Sequence, residues 1–182
     1  MFDVRGTHGL SCKRSAGRAT RHHHLNDLVY RVLVRAGIPS VKEPCGLDRT
    51  DGKRPDGLTL VPWQGGRSMA WDVTVVDTQA PPYVRDSAAV GGSAAERAAV
   101  RKTAKYVDIA VNNDFIPLAC ETLGPINSKG LQFFQEVGRR TTVITGEPRE
   151  TCFLLQRLSV LIQRFNAVAT RGTFPQDPDT NT

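Results

Sequence analysis

Residues 54–77 read RPDGLTLVPWQGGRSMAWDVTVVD, and the fold turns on how they are read. Gly57 to Val61 alternates apolar and β-branched residues, which predicts a strand. Gly65–Gly66 supplies turn chemistry, and Ser68 to Asp77 is the strongest strand signal in the chain. Two strands joined by a short glycine turn predict an antiparallel hairpin. Each strand carries a carboxylate: Asp56 at the mouth of the first, Asp72 inside the second.

Upstream of the hairpin, Leu25, Leu28, Val29, Val32, Leu33 and Ala36 recur at helical spacing, predicting a helix over 21–36. Gly37 is placed to cap it and Pro39 to stop it. Ser40 to Glu43 is a short strand ended by Pro44. Downstream, Pro81–Pro82 and Gly91–Gly92 bracket an irregular stretch. Ser93 then reads as an N-cap with Glu96 completing a capping box, opening one helix over 94–111. Asp114 to Glu121 is an apolar strand that Pro117 restricts to a sheet edge or a bulge. Leu131 to Ile144 and Pro148 to Ala169 are helices, Pro148 suiting a first turn, and the tail from Pro175 is polar. The order helix, strand, strand, strand, helix, strand, helix, helix predicts an α/β or α+β protein with a small mixed sheet flanked by helices.

Composition agrees with this. The 182 residues are 40% hydrophobic and 23% charged, which suits one soluble globular domain and excludes collagen-like, low-complexity and wholly disordered chains. No apolar run approaches the ~18 residues of a membrane span, and the first twenty residues lack the apolar stretch of a secretory signal. Cys12, Cys45, Cys120 and Cys152 share no disulfide-framework spacing, so free thiols in a reducing compartment are expected. The net charge of +6 favours an anionic partner, nucleic acid being the commonest, although a basic surface also serves solubility.

An acid inside a strand as apolar as MAWDVTVV costs solvation free energy unless a positive group compensates. A divalent cation is one compensator: Mg²⁺ takes oxygen ligands and is commonly held by one or two carboxylates plus phosphate oxygens. The alternative is a salt bridge from Arg67 or Lys42 to Asp72, with Asp56 only a turn residue. Lys102 and Lys105 lie three apart on the polar face of the fourth-strand approach helix, next to Tyr106. A lysine beside two metal-binding carboxylates can orient a water or neutralise charge on a phosphate; otherwise these lysines are a solvated helix face.

Together these residues resemble the PD-(D/E)XK, or restriction-enzyme-like, nucleases, whose common core is a helix, three strands, a helix and a strand. Arg54-Pro55-Asp56, then Trp71-Asp72-Val73-Thr74-Val75, then Lys102-x-x-Lys105-Tyr106 is similar to the endonuclease domain of site-specific non-LTR retrotransposons, over about residues 9–121. The resemblance implies a metal-dependent deoxyribonuclease that nicks double-stranded DNA by hydrolysis of a phosphodiester. Asp56 and Asp72 would hold Mg²⁺ or Mn²⁺, Lys102 or Lys105 would position the attacking water or stabilise the transition state, and Tyr106 would pack beside the lysine. Gly57 would let the backbone approach closely. Thr74 stands where most relatives carry the lysine, so that role passes to the helix. The glutamate that many relatives place on the first helix is missing, and Glu43 is the nearest substitute. The segment between Asp77 and Ser93 is longer than the family pattern.

With a nuclease core over 21–124 implied by the resemblance, composition and periodicity divide the rest into a basic lead-in over 1–20, a helical pair over 125–171 packed on the core, and a disordered tail over 172–182. His8 and Cys12 resemble the last two ligands of a Cys-Cys-His-Cys zinc knuckle. Two ligands cannot close a structural zinc site, so Zn²⁺ is expected only in a longer chain, and this chain is read as a fragment of an element with a reverse transcriptase in cis. A nuclear location, or a cytoplasmic one before import, follows from that reading. His22, one helical turn from Asn26, is expected to face the site or the DNA. Phosphate contacts are expected from Lys13, Arg14, Arg18 and Arg21, from Arg54 and Tyr106 near the site, and from Arg149, Arg157, Arg164 and Arg171. The last four repeat at eight, seven and seven residues along one side of the final helix, opposite Leu154, Leu158, Leu161, Ile162 and Phe165. The rival to an active enzyme is a catalytically inactive DNA-binding remnant in which Thr74 marks decay.

Overall fold

A computed structural model describes residues 9–10, 16–47 and 52–172. The elements in chain order are α1 (Ala16–Arg35), β1 (Ser40–Lys42), β2 (Gly57–Gln64), β3 (Arg67–Val76), α2 (Val84–Ala89), α3 (Ser93–Lys105), α4 (Val107–Asn112), β4 (Asp114–Glu121), α5 (Ser128–Thr145) and α6 (Glu150–Arg171). The four strands form one mixed sheet in the order β1-β2-β3-β4. The first three pair antiparallel, and β4 joins β3 in parallel after the helical crossover. The protein is therefore α/β, and among the described residues the elements follow the predicted order with two short helices added.

Alternation along β3 divides the core into two layers. Met69, Trp71 and Val73 pack with Ile116, Leu118 and Cys120 of β4 against α1, α5 and α6. On the other face, Ala70, Phe115, Tyr106 and Ile109 pack together, and Val76 and Ala119 meet the alanines of α3. Burial on both faces explains why β3 reads as a nearly continuous apolar run. It also puts Asp72, an even-numbered position, on the α3/α4 face. The turn at Gly65–Gly66 has positive φ at both residues, 56° and 76°, the conformation that glycine adopts without strain.

Several expectations change. The first helix begins at Ala16, so the expected boundary at residue 20 falls inside α1. Ser93 is the first residue of α3 and not its cap: Gly92 precedes it with φ 89°, and the orphan N–H groups of Ala94 and Ala95 donate to Oε1 of Glu121, a buried carboxylate at the end of β4. Glu96 instead accepts from the backbone and hydroxyl of Ser128. The single helix expected over 94–111 breaks at Tyr106. The irregular stretch after Pro82 contains α2, and Pro148 lies just outside α6. Pro117 does sit in an edge strand, since β4 ends the sheet.

The two C-terminal helices share the main core through Phe134, Val137, Leu154, Leu158 and Ile162. Close helix crossings use small residues: a Cβ on Gly17 of α1 would stand 2.6 Å from Cα of Ala169 in α6, and one on Gly138 of α5 would stand 2.6 Å from Cα of Thr151. Cys45, Cys120 and Cys152 are free thiols; burial pushes Cys120 up to about 12. Among the described residues no helix is long and apolar enough to cross a membrane.

Candidate active site

The hairpin register sets the two aspartates side by side. Gly57 pairs with Trp71, so the next position outward puts Asp56 opposite Asp72. The backbone N–H of Asp56 donates to the carbonyl of Trp71 at 2.9 Å. Its carboxylate reaches β3: Oδ2 accepts the N–H of Val73 at 2.6 Å, at the peptide that follows Asp72. Gly57 is dictated by this geometry, because a Cβ there would stand 1.9 Å from Cζ2 of Trp71. The glycine lets the indole slide beneath β2 and pass its Nε1–H to Oδ1 of Asn26 at 2.9 Å. Asn26 Nδ2 in turn donates to the carbonyl of Asp56 at 3.2 Å. Asn26 thus fixes both strands to α1, a role that its place one turn after His22 only hinted at.

Asp72 is 3% exposed and compensated from the crossover helices. The Tyr106 hydroxyl lies 2.7 Å from Oδ1, and the Lys102 ammonium forms an ion pair with Oδ2. Neither of the cations considered from sequence does this: Lys42 pairs with Asp27, and Arg67 is exposed at the start of β3. Lys102 is three-quarters buried, and Lys105 lies 3.1 Å from the Tyr106 hydroxyl with its ammonium over that ring. The crossover breaks at Tyr106 because the ring turns inward between Asp72 and the Arg54 carbonyl, 3.0 Å from the hydroxyl.

His22 closes the cluster from α1. Its Nε2 lies 3.1 Å from Oδ2 of Asp56. The hydrogen bond to Asp56 raises the His22 pKa against burial; Asp72 adds to the rise and Lys102 opposes it. One imidazole therefore senses both carboxylates and the lysine.

The remaining expected site residues divide clearly. The backbone N–H of Glu43 donates to the Asp56 carbonyl, but its exposed carboxylate pairs with Arg54, so the structure does not bring it to the aspartate pair. Arg54 is exposed and pairs with that acid. Tyr106, expected at the DNA, is only 1% exposed and serves Asp72 from within the core. Arg21, expected on a basic surface, is also 1% exposed; it donates to Oδ1 of Asn166 at 2.7 Å, and burial lowers its pKa. Arg18, Arg157, Arg164 and Arg171 are exposed. Arg149 is exposed and chelated by Glu147, which it pulls down to about 2. His8, Cys12, Lys13 and Arg14 lie outside the described residues.

The donor set fits a divalent cation in part. Two carboxylates from adjacent strands stand at facing register positions, and the buried Oδ2 of Asp72 has its ion pair to Lys102 but no hydrogen bond. Among the described residues no three or more His, Cys, Asp and Glu side chains are arranged to hold a metal ion together, so an ion on the two aspartates would take its other ligands from water, backbone or substrate. Compared with known protein families and with curated proteins, the chain matches none.

Proposed function

We propose that this chain is a metal-dependent DNA endonuclease domain of the PD-(D/E)XK kind, derived from a site-specific non-LTR retrotransposon and working within a longer reverse-transcriptase polypeptide. The observation that carries the proposal is the pairing of Asp56 and Asp72 across the hairpin, with the Lys102 ammonium delivered onto Asp72 by the crossover helix. The strand order, with three antiparallel strands followed by a helical crossover to a parallel fourth, supports it. So does the ion pair of Lys102 in α3 with the second acid, since Thr74 stands where most of the resembled nucleases carry their lysine.

Asp56 and Asp72 would hold Mg²⁺ or Mn²⁺, which would polarise the phosphate and make water a better nucleophile. Lys102 supplies positive charge where the phosphate develops negative charge. Tyr106 and Lys105 hold Asp72 and the lysine side of the site in place. His22 and Asn26 fix Asp56 from α1. The exposed arginines of α6 provide sequence-independent phosphate contacts.

One observation favours the inactive remnant as a second reading: the Lys102 ammonium stands on the same Oδ2 of Asp72 that a metal ion would need. Incubating the purified chain with supercoiled plasmid and Mg²⁺ or Mn²⁺, beside Asp56→Ala and Asp72→Ala, separates the readings. The enzyme reading predicts nicking by the unaltered chain alone. Nicking by all three removes the catalytic assignment, and nicking by none favours the remnant.

A further inference from the structure

A cleft of about 380 Å³ opens on the Lys102 side of the site, between the start of α1 and the exposed side of α3, with Thr74 to Val76 of β3 in its lining. Arg18, Arg101, Lys102 and Lys105 line it. Arg101 is steadied by Tyr83, whose hydroxyl accepts from it and whose ring lies 5.3 Å from its guanidinium carbon. Four cations on one small concavity attract an anion, and the volume matches a small-molecule site.

Two buried residues of the lining have a different chemistry. Asp77 and Arg21 both line it, at 6% and 1% exposure. Oδ1 of Asp77 accepts the N–H of Gln79 at 3.0 Å, whereas its buried Oδ2 accepts no hydrogen bond among the described residues. Nε of Arg21 is likewise buried and, among the described residues, has no acceptor. Asp77 is the main charge sustaining protonation of Arg21, yet among the described residues the two form no ion pair. An unsatisfied buried acceptor and an unsatisfied buried donor, each costing about 1–3 kcal/mol, therefore line one cationic cleft together. A phosphate alone would satisfy the cations and leave Asp77 repelled. A ligand with a phosphate at one end and adjacent donor and acceptor atoms at the other satisfies both sets of groups, and every nucleobase offers such a pair on its Watson–Crick edge.

We propose that this cleft is a nucleotide subsite: the phosphate sits among Arg18, Arg101 and Lys105, and the base edge meets Asp77 and Arg21. Resting on the endonuclease reading, it takes the nucleotide next to the cleaved bond, so that the enzyme holds one residue of the strand out of the stack on the Lys102 side of the site.

The test is titration of the full chain with each deoxynucleoside 5′-monophosphate in EDTA, following backbone amides of Thr74 to Asp77 by NMR. Saturable shifts are expected at millimolar nucleotide. Asp77→Asn, which keeps the acceptor used by Gln79, and Arg101→Ala on the exposed helix each weaken binding roughly tenfold, and inorganic phosphate binds more weakly than any nucleotide. Equal binding of phosphate and nucleotide, no saturation by any nucleotide, or unchanged affinity in Asp77→Asn each overturns the subsite. Because the titration uses no metal, it separates the two proposals. Nucleotide binding in a chain that never nicks DNA leaves the subsite and removes the endonuclease; nicking by a chain whose cleft ignores nucleotides does the reverse.

Discussion

Tyr106 and Asp72 are joined by a buried hydrogen bond of 2.7 Å between hydroxyl and carboxylate, made where the crossover helix breaks. The bond ties the end of α3 to the middle of β3. With the ion pair from Lys102 it lets an aspartate sit inside an otherwise apolar strand. Removing the hydroxyl leaves the ring to pack against Phe115. Tyr106→Phe should therefore fold and lose about 1–3 kcal/mol in urea unfolding. A loss below about 0.5 kcal/mol would mean that Lys102 alone satisfies the acid.

Lys102 is the counter-charge to that buried acid. Lys102→Met should cost about 3 kcal/mol without divalent ions, the lower end for breaking a buried pair, because Lys102 is a quarter exposed. Adding Asp72→Asn to Lys102→Met should restore most of the loss. Strictly additive losses in this double-mutant cycle would show that the two side chains are not coupled.

Gly57 is set by the Trp71 indole, not by a turn. A methyl group there collides with the ring, so Gly57→Ala should destabilise the fold by about 1–3 kcal/mol, and it should disturb the amides of Asp56 and Val73 in NMR spectra. An unchanged melting temperature would contradict the close approach.

His22 reports on the site without any metal. Its hydrogen bond to Asp56 raises its pKa above 6.5. This contribution to stability is fully present below the unfolded value and is lost as pH rises through the folded one. In EDTA, the His22 ring proton should titrate at higher pH than in Asp56→Asn. Equal midpoints in the two proteins would place the imidazole away from the carboxylate.

Much of this architecture is legible in the residues because β2, β3 and the helix over α1 have strong periodicity and clear glycine and proline punctuation. Pro117 restricted β4 to a sheet edge or a bulge, and the edge is what forms. The losses have physical causes. A helix that breaks because one tyrosine is drawn to a buried aspartate looks continuous in sequence, since Tyr106 and Val107 fit a helical pattern as well as their neighbours do. Arg21 lies in a basic run and reads as surface, yet Asn166, far along the chain, buries it. Glu121 caps α3 from a strand end, a contact that no local spacing announces, and it displaces the Ser93–Glu96 box that local spacing favours. That Asp56 and Asp72 converge on one end of the sheet was legible from the hairpin, but their facing register was not: continued regularly from Gln64 opposite Arg67, the hairpin would set Asp56 across from Val75, and the register shifts between Leu58 and Gln64 bring it opposite Asp72 instead. Asn26 and Tyr106, which hold the pair in place, come from other elements and were not legible either.

The central claim is that Asp56 and Asp72 share one divalent ion. Crystals soaked in Mn²⁺ and measured for anomalous scattering test it directly. The account predicts one strong peak within coordination distance of both carboxylates, absent in crystals of Asp72→Asn. A peak elsewhere, or density in which Lys102 still occupies Asp72 with no metal beside Asp56, would contradict it.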